Sequence, residues 1–354
     1  MSCASLRSSA FVAALAFGLT AGAAGHAGAS VTAEGPFIGT LPCADCEGIR
    51  TELTLLRDAR NGAPTHFLLR ETYLGKPSGA VVFESMGPWQ DVGPGMPVPE
   101  AGRVRIDPFQ PQWRHSFLRL GPAVLELLDR DERRIRSRAN LRLELTASDA
   151  PAAPASERVL LAGTLQSAGP MGLQLRPCAG SGTQRAIDVS PESMVTAVLA
   201  ELGLDRRGEI YVEAFGRVVD GAAMFERLNR AGVEMRCPEA GHSARWQAQG
   251  NEPFWALRAE GDRTTFSQPG EPPVAHPAID PTWRWRGGRR DRAGAHLFSQ
   301  TEAGVIEAVL LPGICRDTMA EAAYGYRAEV ILGSATARRT FSGCAYLGAG
   351  TAPP

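Results

Sequence analysis

Period-two alternation of apolar and polar residues is the feature that most restricts how this chain can fold. The alternation is clear at 49–55 (IRTELTL) and at 141–145 (LRLEL). It indicates antiparallel strands with one buried and one solvated face. Further short strands fit between Gly, Pro and Asp turns at 66–73, 81–84, 103–106, 115–120 and 124–128. An up-and-down barrel is the natural closure for that many antiparallel strands.

The first thirty residues have the pattern of a secretory signal. Arg7 is the only charge before an apolar run at 10–19, and small residues with an A-x-A end follow at 27–29. This pattern is typical of a cleaved signal peptide, and the run is shorter than the roughly 20 residues that span a bilayer. We therefore expect a signal over 1–29, export to the periplasm and no transmembrane span. The alternative is a retained N-terminal anchor.

Charge and motif content exclude several functional classes. The 37 basic and 38 acidic residues give a net charge of −1, without the basic excess that nucleic-acid binding needs. The sequence has no G-x-S-x-G elbow, no H-E-x-x-H and no Gly-rich phosphate loop. Its six histidines are scattered, without metal-ligand spacing. We therefore expect neither a nucleic-acid partner nor an enzyme.

The cysteines and the linkers divide the mature chain into three segments. Residues 147–157 are a Pro/Ala/Ser tract, and a second break lies near 238–244. We name 30–146 segment one, 158–238 segment two and 245–354 segment three. Six cysteines allow 15 connectivities, but each segment holds two of them. The simplest pairing is local: Cys43 with Cys46, Cys178 with Cys237, and Cys315 with Cys344.

Segments two and three also have strand patterns. In segment two these lie at 159–165, 171–176 and 209–218, with one helix that Ser190 caps and Gly203 closes. Its apolar face predicts core packing and consists of Met194, Val195, Val198, Leu199 and Leu202. In segment three the strands lie near 254–258, 264–267, 305–311, 326–332 and 339–343, and the Pro-rich stretch 268–281 predicts a loop.

The C-x-x-C sequence at Cys43 and Cys46 is the candidate for chemistry. Two thiolates this close can bind a soft ion such as Cu(I) or Zn(II), or close into an easily reduced disulfide. No helix start is available to lower the thiol pKa, and Asp45 and Glu47 would raise it. Catalysis of dithiol exchange is therefore disfavoured. A metal-binding or redox-responsive dithiol and a small structural bridge in a turn both remain open, and no cofactor is certain.

The residues around this motif resemble the NlpE family, envelope lipoproteins linked to copper resistance and stress sensing. The resemblance begins at 39–49 (GTLPCADCEGI) and continues through 70–75 (RETYLG), 87–89 (GPW) and 125–129 (LELLD). It implies a lipocalin-like barrel for segment one, with the C-x-x-C at one end. The family is lipidated at a cysteine after its signal. In this chain the one cysteine of the predicted signal is Cys3, which precedes the apolar run. We therefore expect no lipid anchor.

The other segments carry looser resemblances. Segment two is similar to the second, OB-like domain of the same family in its Gly163, Cys178, helix and Cys237. This implies a redox-sensing disulfide between Cys178 and Cys237. Segment three resembles an uncharacterised family of bacterial envelope proteins at 250–255 (GNEPFW), 315–319 (CRDTM) and 343–345 (GCA). That resemblance implies no activity, and it leaves open whether Trp255 and Asp317 line a site or a core.

The predicted fold class is mainly β: a lipocalin-like antiparallel barrel, an OB-like barrel with one helix, and a third small β domain. The predicted function is a non-enzymatic periplasmic protein of the copper and envelope-stress response. The resemblance implies that a sensor histidine kinase of the Cpx type reads its cysteine or metal state. One alternative is a copper or zinc buffer that uses the C-x-x-C. Another is a lipocalin-like ligand-binding protein whose disulfides, Cys315–Cys344 included, are structural.

Overall fold

The computed structural model describes residues 31–77, 79–93, 102–108, 114–146, 158–169, 172–238, 244–287, 293–302, 304–333 and 337–348. The predicted signal at 1–29 and the predicted linker at 147–157 lie outside these ranges. The described chain is mainly β, which confirms the predicted fold class.

Segment one forms a closed eight-stranded antiparallel barrel. Its strands are β1 (Val31–Leu41), β2 (Gly48–Asp58), β3 (Pro64–Leu74), β4 (Val81–Val92), β5 (Arg103–Ile106), β6 (His115–Arg119), β7 (Val124–Leu127) and β8 (Arg142–Leu145). Each strand pairs with the next, and β8 returns to β1 where Phe37 lies opposite Leu145. The inward residues of the alternating strands, such as Leu53 and Leu143, fill the interior. The barrel therefore has a packed core.

Segment two forms a smaller closed barrel. Its strands are β9 (Val159–Ser167), β10 (Leu173–Pro177), β11 (Gln184–Asp188), β12 (Glu209–Val219) and β13 (Ala222–Gly232). The hydrogen-bonded order is β9–β10–β11–β13–β12, with β12 back on β9 and a parallel pairing between β11 and β13. A five-stranded barrel of this kind, with its helix between β11 and β12, is the predicted OB-like architecture.

The helix of segment two begins later than the sequence predicts. A 3₁₀ turn covers Pro191–Ser193, and the helices are α1 (Met194–Glu201) and α2 (Leu204–Arg207). Contrary to the prediction from the sequence, Ser190 therefore does not directly precede one continuous helix. Its hydroxyl instead accepts a hydrogen bond from the Val195 backbone N–H (3.2 Å), one turn further along the chain. Asp188 accepts one from the Thr196 N–H (2.7 Å), so two side chains share the capping. Of the predicted apolar face, Val195, Val198, Leu199 and Leu202 pack into the core, whereas Met194 lines a cavity.

Segment three wraps nine strands around its own core. They are β14 (Trp246–Asn251), β15 (Phe254–Glu260), β16 (Arg263–Ser267), β17 (Val274–Pro277), β18 (Thr282–Arg286), β19 (Gly294–Thr301), β20 (Gly304–Asp317), β21 (Ala322–Gly333) and β22 (Arg338–Leu347). The loop prediction for 268–281 is wrong at β17, which pairs with β16. Pro277 ends that strand, where a missing N–H is tolerated, and the buried His276 ring lies 3.0 Å from Ser299 Oγ on β19.

Strand β18 of segment three hydrogen-bonds directly to the barrel of segment one. Its residues Trp283–Arg286 pair antiparallel with Phe83–Met86 of β4. The second half of β4, from Trp89 onward, pairs instead with the short strand β5. The first half of β4 thus has an edge that β5 does not reach, and β18 occupies it. A Cβ at Gly87 would lie 2.5 Å from Thr282 Oγ1, so this glycine permits the close approach.

A buried carboxylate stabilises the contact between β4 and β18, which we call the β4–β18 seam. Asp107, at the end of β5, is 2% exposed. It accepts hydrogen bonds from Thr282 Oγ1 (2.6 Å) and from the Arg284 guanidinium. On the other side of the seam, Trp285 Nε1 donates to Glu84 Oε2 (2.6 Å). Segment three thus supplies the polar partners of a segment-one carboxylate that is shielded from water.

Segments two and three also share a strand pairing. Residues 230–232 of β13 lie opposite 322–324 of β21. The fully buried Asn229 donates to the Leu347 carbonyl oxygen (2.7 Å) and accepts from the Leu347 N–H (2.9 Å). These two strand pairings join all three segments. The predicted domain boundaries stay a prediction.

Within the described ranges, no helix has the length and apolarity that a membrane crossing requires.

We predict that Asp107→Asn lowers the free energy of unfolding by about 3 kcal/mol, because it removes the buried carboxylate that binds the Arg284 guanidinium across the seam. Urea unfolding followed by tryptophan fluorescence measures the loss. The matched control is Asp131→Asn, whose exposed carboxylate lies 3.7 Å from Arg133 and should change stability by less than about 0.5 kcal/mol. Equal effects of the two variants would contradict a structural role for the seam.

Candidate metal and redox site at one end of the barrel

The C-x-x-C lies in a turn, without helix, between β1 and β2. Cys43 and Cys46 form a disulfide whose Cα atoms are 5.3 Å apart. Both cysteines are half-buried, and Asp45 between them is exposed. No helix dipole can therefore lower the pKa of either thiol, as the sequence predicts.

Each sulfur lies against an oxygen. Cys43 Sγ is 3.5 Å from Asp45 Oδ1, and Cys46 Sγ is 3.4 Å from the Gly48 carbonyl oxygen. In the disulfide these are contacts only, because the sulfurs carry no proton. Reduction would give both thiols an acceptor already in place.

A lysine on the neighbouring turn clamps this loop. Lys76, the only lysine of the chain, lies between β3 and β4, and its Nζ donates to Asp45 Oδ2 (2.7 Å) and to the Asp45 carbonyl oxygen (3.1 Å). The hydrogen bond from the Lys76 ammonium lowers the pKa of Asp45. Sequence reasoning considered only the acidic neighbours of the thiols and missed this cation, which lies 31 residues from Asp45.

The same loop provides the ligand set for one metal ion. One ligand atom each from Cys43, Asp45 and Cys46 lie within 4.8 Å of one another, and no other such cluster of Cys, His, Asp or Glu occurs in the described part of the chain. Two thiolates suit Cu(I) or Zn(II), and the residues fit such an ion once the disulfide is reduced. The carboxylate adds a harder third donor, which suits Zn(II) more than Cu(I).

The other two disulfides differ in their access to solvent. Cys178–Cys237 joins the chain after β10 to the chain after β13, and Cys315–Cys344 joins β20 to β22. All three bridges follow the simplest pairing predicted from the sequence. Cys237 is exposed, whereas Cys344 is buried. Thiol–disulfide exchange needs access to a sulfur. We therefore expect the Cys178–Cys237 bridge to be easier to reduce than the Cys315–Cys344 bridge.

The first two of the three motifs of segment three, 250–255 and 315–319, contact each other. Asn251 Nδ2 donates to Asp317 Oδ1 (2.9 Å), which also accepts from the Met319 and Ala320 N–H groups. Trp255 is buried against Phe266 and Phe341, with ring centroids 6.1 and 5.8 Å away. The first motif therefore contributes a core tryptophan. Asp317 fixes the β20–β21 turn and ties it to the β14–β15 turn.

An arginine-rich cavity of about 760 Å³ opens at the same end of the barrel as the C-x-x-C. Its buried Glu126 is bound by Arg134 (2.6 Å) and Arg142 (3.4 Å), and the Arg134 hydrogen bond lowers the Glu126 pKa. Asn140 donates to the Thr40 carbonyl oxygen (3.2 Å) beside the cysteine loop. Sequence reasoning missed this cavity, although the clustering of arginines at 130–142 is a signal for it. Its polar lining does not suit an apolar ligand.

Comparisons with known proteins agree with the resemblance of segment one. The family profile described as the NlpE N-terminal domain matches residues 37–138. The curated protein "Lipoprotein NlpE" of Escherichia coli (strain K12) is 32% identical over 120 residues, which cover 34% of this chain and 44% of that relative. The chain therefore matches less than half the length of this relative. No solved structure matches the chain. The predicted NlpE resemblance is confirmed for the N-terminal region.

We predict that the bridges differ in their contribution to stability. Replacing both Cys178 and Cys237 by Ser should lower the free energy of unfolding by about 4 kcal/mol, because this bridge closes a loop with a sequence separation of 59. Replacing both Cys43 and Cys46 should cost at most about 2 kcal/mol, because their separation is 3. Denaturant unfolding of the two double variants without reductant measures both losses. A larger loss for the Cys43/Cys46 variant would show that the C-x-x-C is a structural staple.

Proposed function

We propose that this chain is a non-enzymatic protein of the bacterial envelope that responds to copper and to oxidative conditions. The observation that carries the proposal is the Cys43–Cys46 loop. It lies at the end of a barrel whose sequence matches the NlpE N-terminal domain, and it presents two sulfurs and a carboxylate as one ligand set. The resemblance of segment one to a family linked to copper resistance and stress sensing supports the biological setting. Export to the periplasm belongs to the same proposal.

The metal-responsive element is the Cys43–Cys46 loop. In its oxidised form the sulfurs bond to each other and cannot serve as thiolate ligands. In its reduced form the loop provides a soft site, and Cys43 and Cys46 would hold a Cu(I) ion as thiolate ligands. Leu41 of β1 and Leu53 of β2 belong to the packed core, so both strands that flank the loop are held by the barrel.

The redox-responsive element is the Cys178–Cys237 bridge. Cys237 is an exposed residue, which favours access of a reductant to this bridge, while β13 keeps its pairings with β11, β12 and β21. Loss of the bridge would therefore release the short stretch 233–238 and leave the OB-like barrel in place. Met235 in this stretch packs against the cluster of Ala322, Tyr324 and Cys344 in segment three, so its release would expose apolar surface. We propose that a signalling partner, a sensor histidine kinase of the Cpx type, reads this change.

A copper or zinc buffer is the second candidate function. The observation that favours it is the exposure of Asp45, since an ion at a solvent-facing turn can exchange readily. A free-thiol count with metal analysis on periplasm-expressed protein separates the two candidates. Stoichiometric metal with Cys43 and Cys46 reduced would favour the buffer, whereas three closed bridges without metal would favour the sensor.

We predict that the two elements affect different outputs in cells. Cys178→Ser or Cys237→Ser should change the activity of an envelope-stress reporter, whereas Cys43→Ser and Cys46→Ser should change its response to added copper. Immunoblots must show equal amounts of each variant, and Cys3→Ser serves as the control because this residue lies in the predicted signal. If all four variants behave like the wild type, the sensor proposal is wrong.

A further inference from the structure

The ion pair between Lys76 and Asp45 suggests how the loop chooses its metal. We propose that Lys76 is a specificity-determining residue: its ammonium occupies the Asp45 carboxylate, so that the reduced loop binds Cu(I) through Cys43 and Cys46 in preference to Zn(II). This inference rests on the metal site of the proposed function. It adds a reason why that site would prefer Cu(I) to Zn(II).

The position of Lys76 is fixed by its surroundings. The Lys76 side chain is 24% exposed, although the Asp45 side chain that it binds is 76% exposed. Two acceptors hold the ammonium, one on the side chain and one on the main chain of Asp45. A freely moving surface lysine would gain little from a single contact. The double contact keeps the ammonium on the carboxylate.

The turn that carries Lys76 is also built against the cysteine loop. The Glu47 N–H donates to the Leu74 carbonyl oxygen (3.1 Å). Gly75 has a φ of +69°, and a Cβ there would lie 2.3 Å from Glu47 Cγ. A glycine is required on both counts. Loop and turn therefore form one unit that brings the cation to the ligand set.

The two metals have different needs at this site. Cu(I) is soft, and the two thiolates suffice to hold it. Zn(II) in proteins takes four ligands, among them carboxylate oxygens, and Asp45 is the third donor within reach of an ion between the sulfurs. Lys76 binds Asp45 Oδ2, whereas Oδ1 is the oxygen beside Cys43 Sγ, so a Zn(II) ion that used Oδ1 would share the carboxylate with the ammonium. The ammonium weakens this oxygen as a donor and repels a dication more strongly than a monocation. The penalty is therefore larger for Zn(II) than for Cu(I).

Reduction of the loop precedes binding of either metal. A dithiol reductant gives two electrons and two protons to the Cys43–Cys46 bond. The S–S bond breaks, two thiols form, and the reductant becomes a disulfide. Each thiol loses its proton to solvent when it binds the metal.

The test compares metal affinities of the full chain with Lys76 altered. Wild type, Lys76→Met and Lys76→Arg are reduced with a phosphine, and their Zn(II) and Cu(I) affinities are measured by competition with chromophoric chelators. The Cys43→Ser/Cys46→Ser variant gives the background from the other reduced cysteines. Lys76→Met should tighten Zn(II) binding by about tenfold, because a dication would no longer share the Asp45 carboxylate with the ammonium. Its Cu(I) affinity should change by less than about threefold, because Cu(I) carries half the charge and does not depend on the carboxylate.

Two further variants sharpen the result. Lys76→Arg keeps the charge and should leave both affinities as in the wild type. Adding Asp45→Asn to Lys76→Met should return Zn(II) binding to near the wild-type level, because the freed ligand is lost. Far-UV circular dichroism before reduction verifies that each variant is folded.

The outcomes separate this inference from the proposed function. If reduced wild-type protein binds neither metal at Cys43 and Cys46, the proposed metal response is wrong, and the role of Lys76 falls with it. If the wild type binds Cu(I) but Lys76→Met shifts both affinities equally, or neither, Lys76 does not set the choice of metal and the proposed function stands.

Discussion

Every strand in a barrel must have its backbone hydrogen bonds satisfied along both edges, and this requirement decides how the three segments are joined. Strand β4 is far longer than its neighbour β5, so the first half of one β4 edge needs another partner. Strand β18 fills that edge, and the pairing places Thr282 and Arg284 on the buried Asp107. A second pairing, between β13 and β21, joins segments two and three in the same way. The described residues therefore form three large hydrophobic clusters and a small fourth one within one continuous hydrogen-bonded network.

This network bears on how a local change could reach the rest of the protein. The turn that carries Lys76 connects β3 to β4, and the first residues of β4 are those that pair with β18. The cysteine loop of segment one and strand β18 of segment three therefore both contact the β3–β4 hairpin. At the other seam, the stretch that ends at Cys237 packs through Met235 onto segment three. The stretch that ends at Cys237 thus contacts segment three directly, whereas the Cys43–Cys46 loop connects to segment three through the β3–β4 hairpin.

The sequence predicts what depends on local periodicity and on cysteine count. Alternation at 49–55 and 141–145 predicts the barrel, and the apolar face that includes Val198 predicts the helix of segment two. The pairing of strands distant in sequence leaves no such periodic signal, so the β4–β18 seam and the Lys76–Asp45 pair were missed. The helix start was wrong because two side chains, Asp188 and Ser190, share the capping of its first N–H groups. Strand β17 was missed because prolines surround a strand of four residues, of which only His276 is buried.

The single lysine has a consequence for studying this protein. Because Lys76 is the only lysine in the sequence, a folded chain carries one ε-amino group, and that group binds Asp45 inside the cysteine loop. A hydrogen-bonded ammonium held against a carboxylate reacts slowly with acylating reagents, whereas a released amine reacts faster. The rate at which Lys76 is acylated therefore reports on the state of the loop. It can be followed by mass spectrometry of the peptide that contains Lys76, without introducing a label.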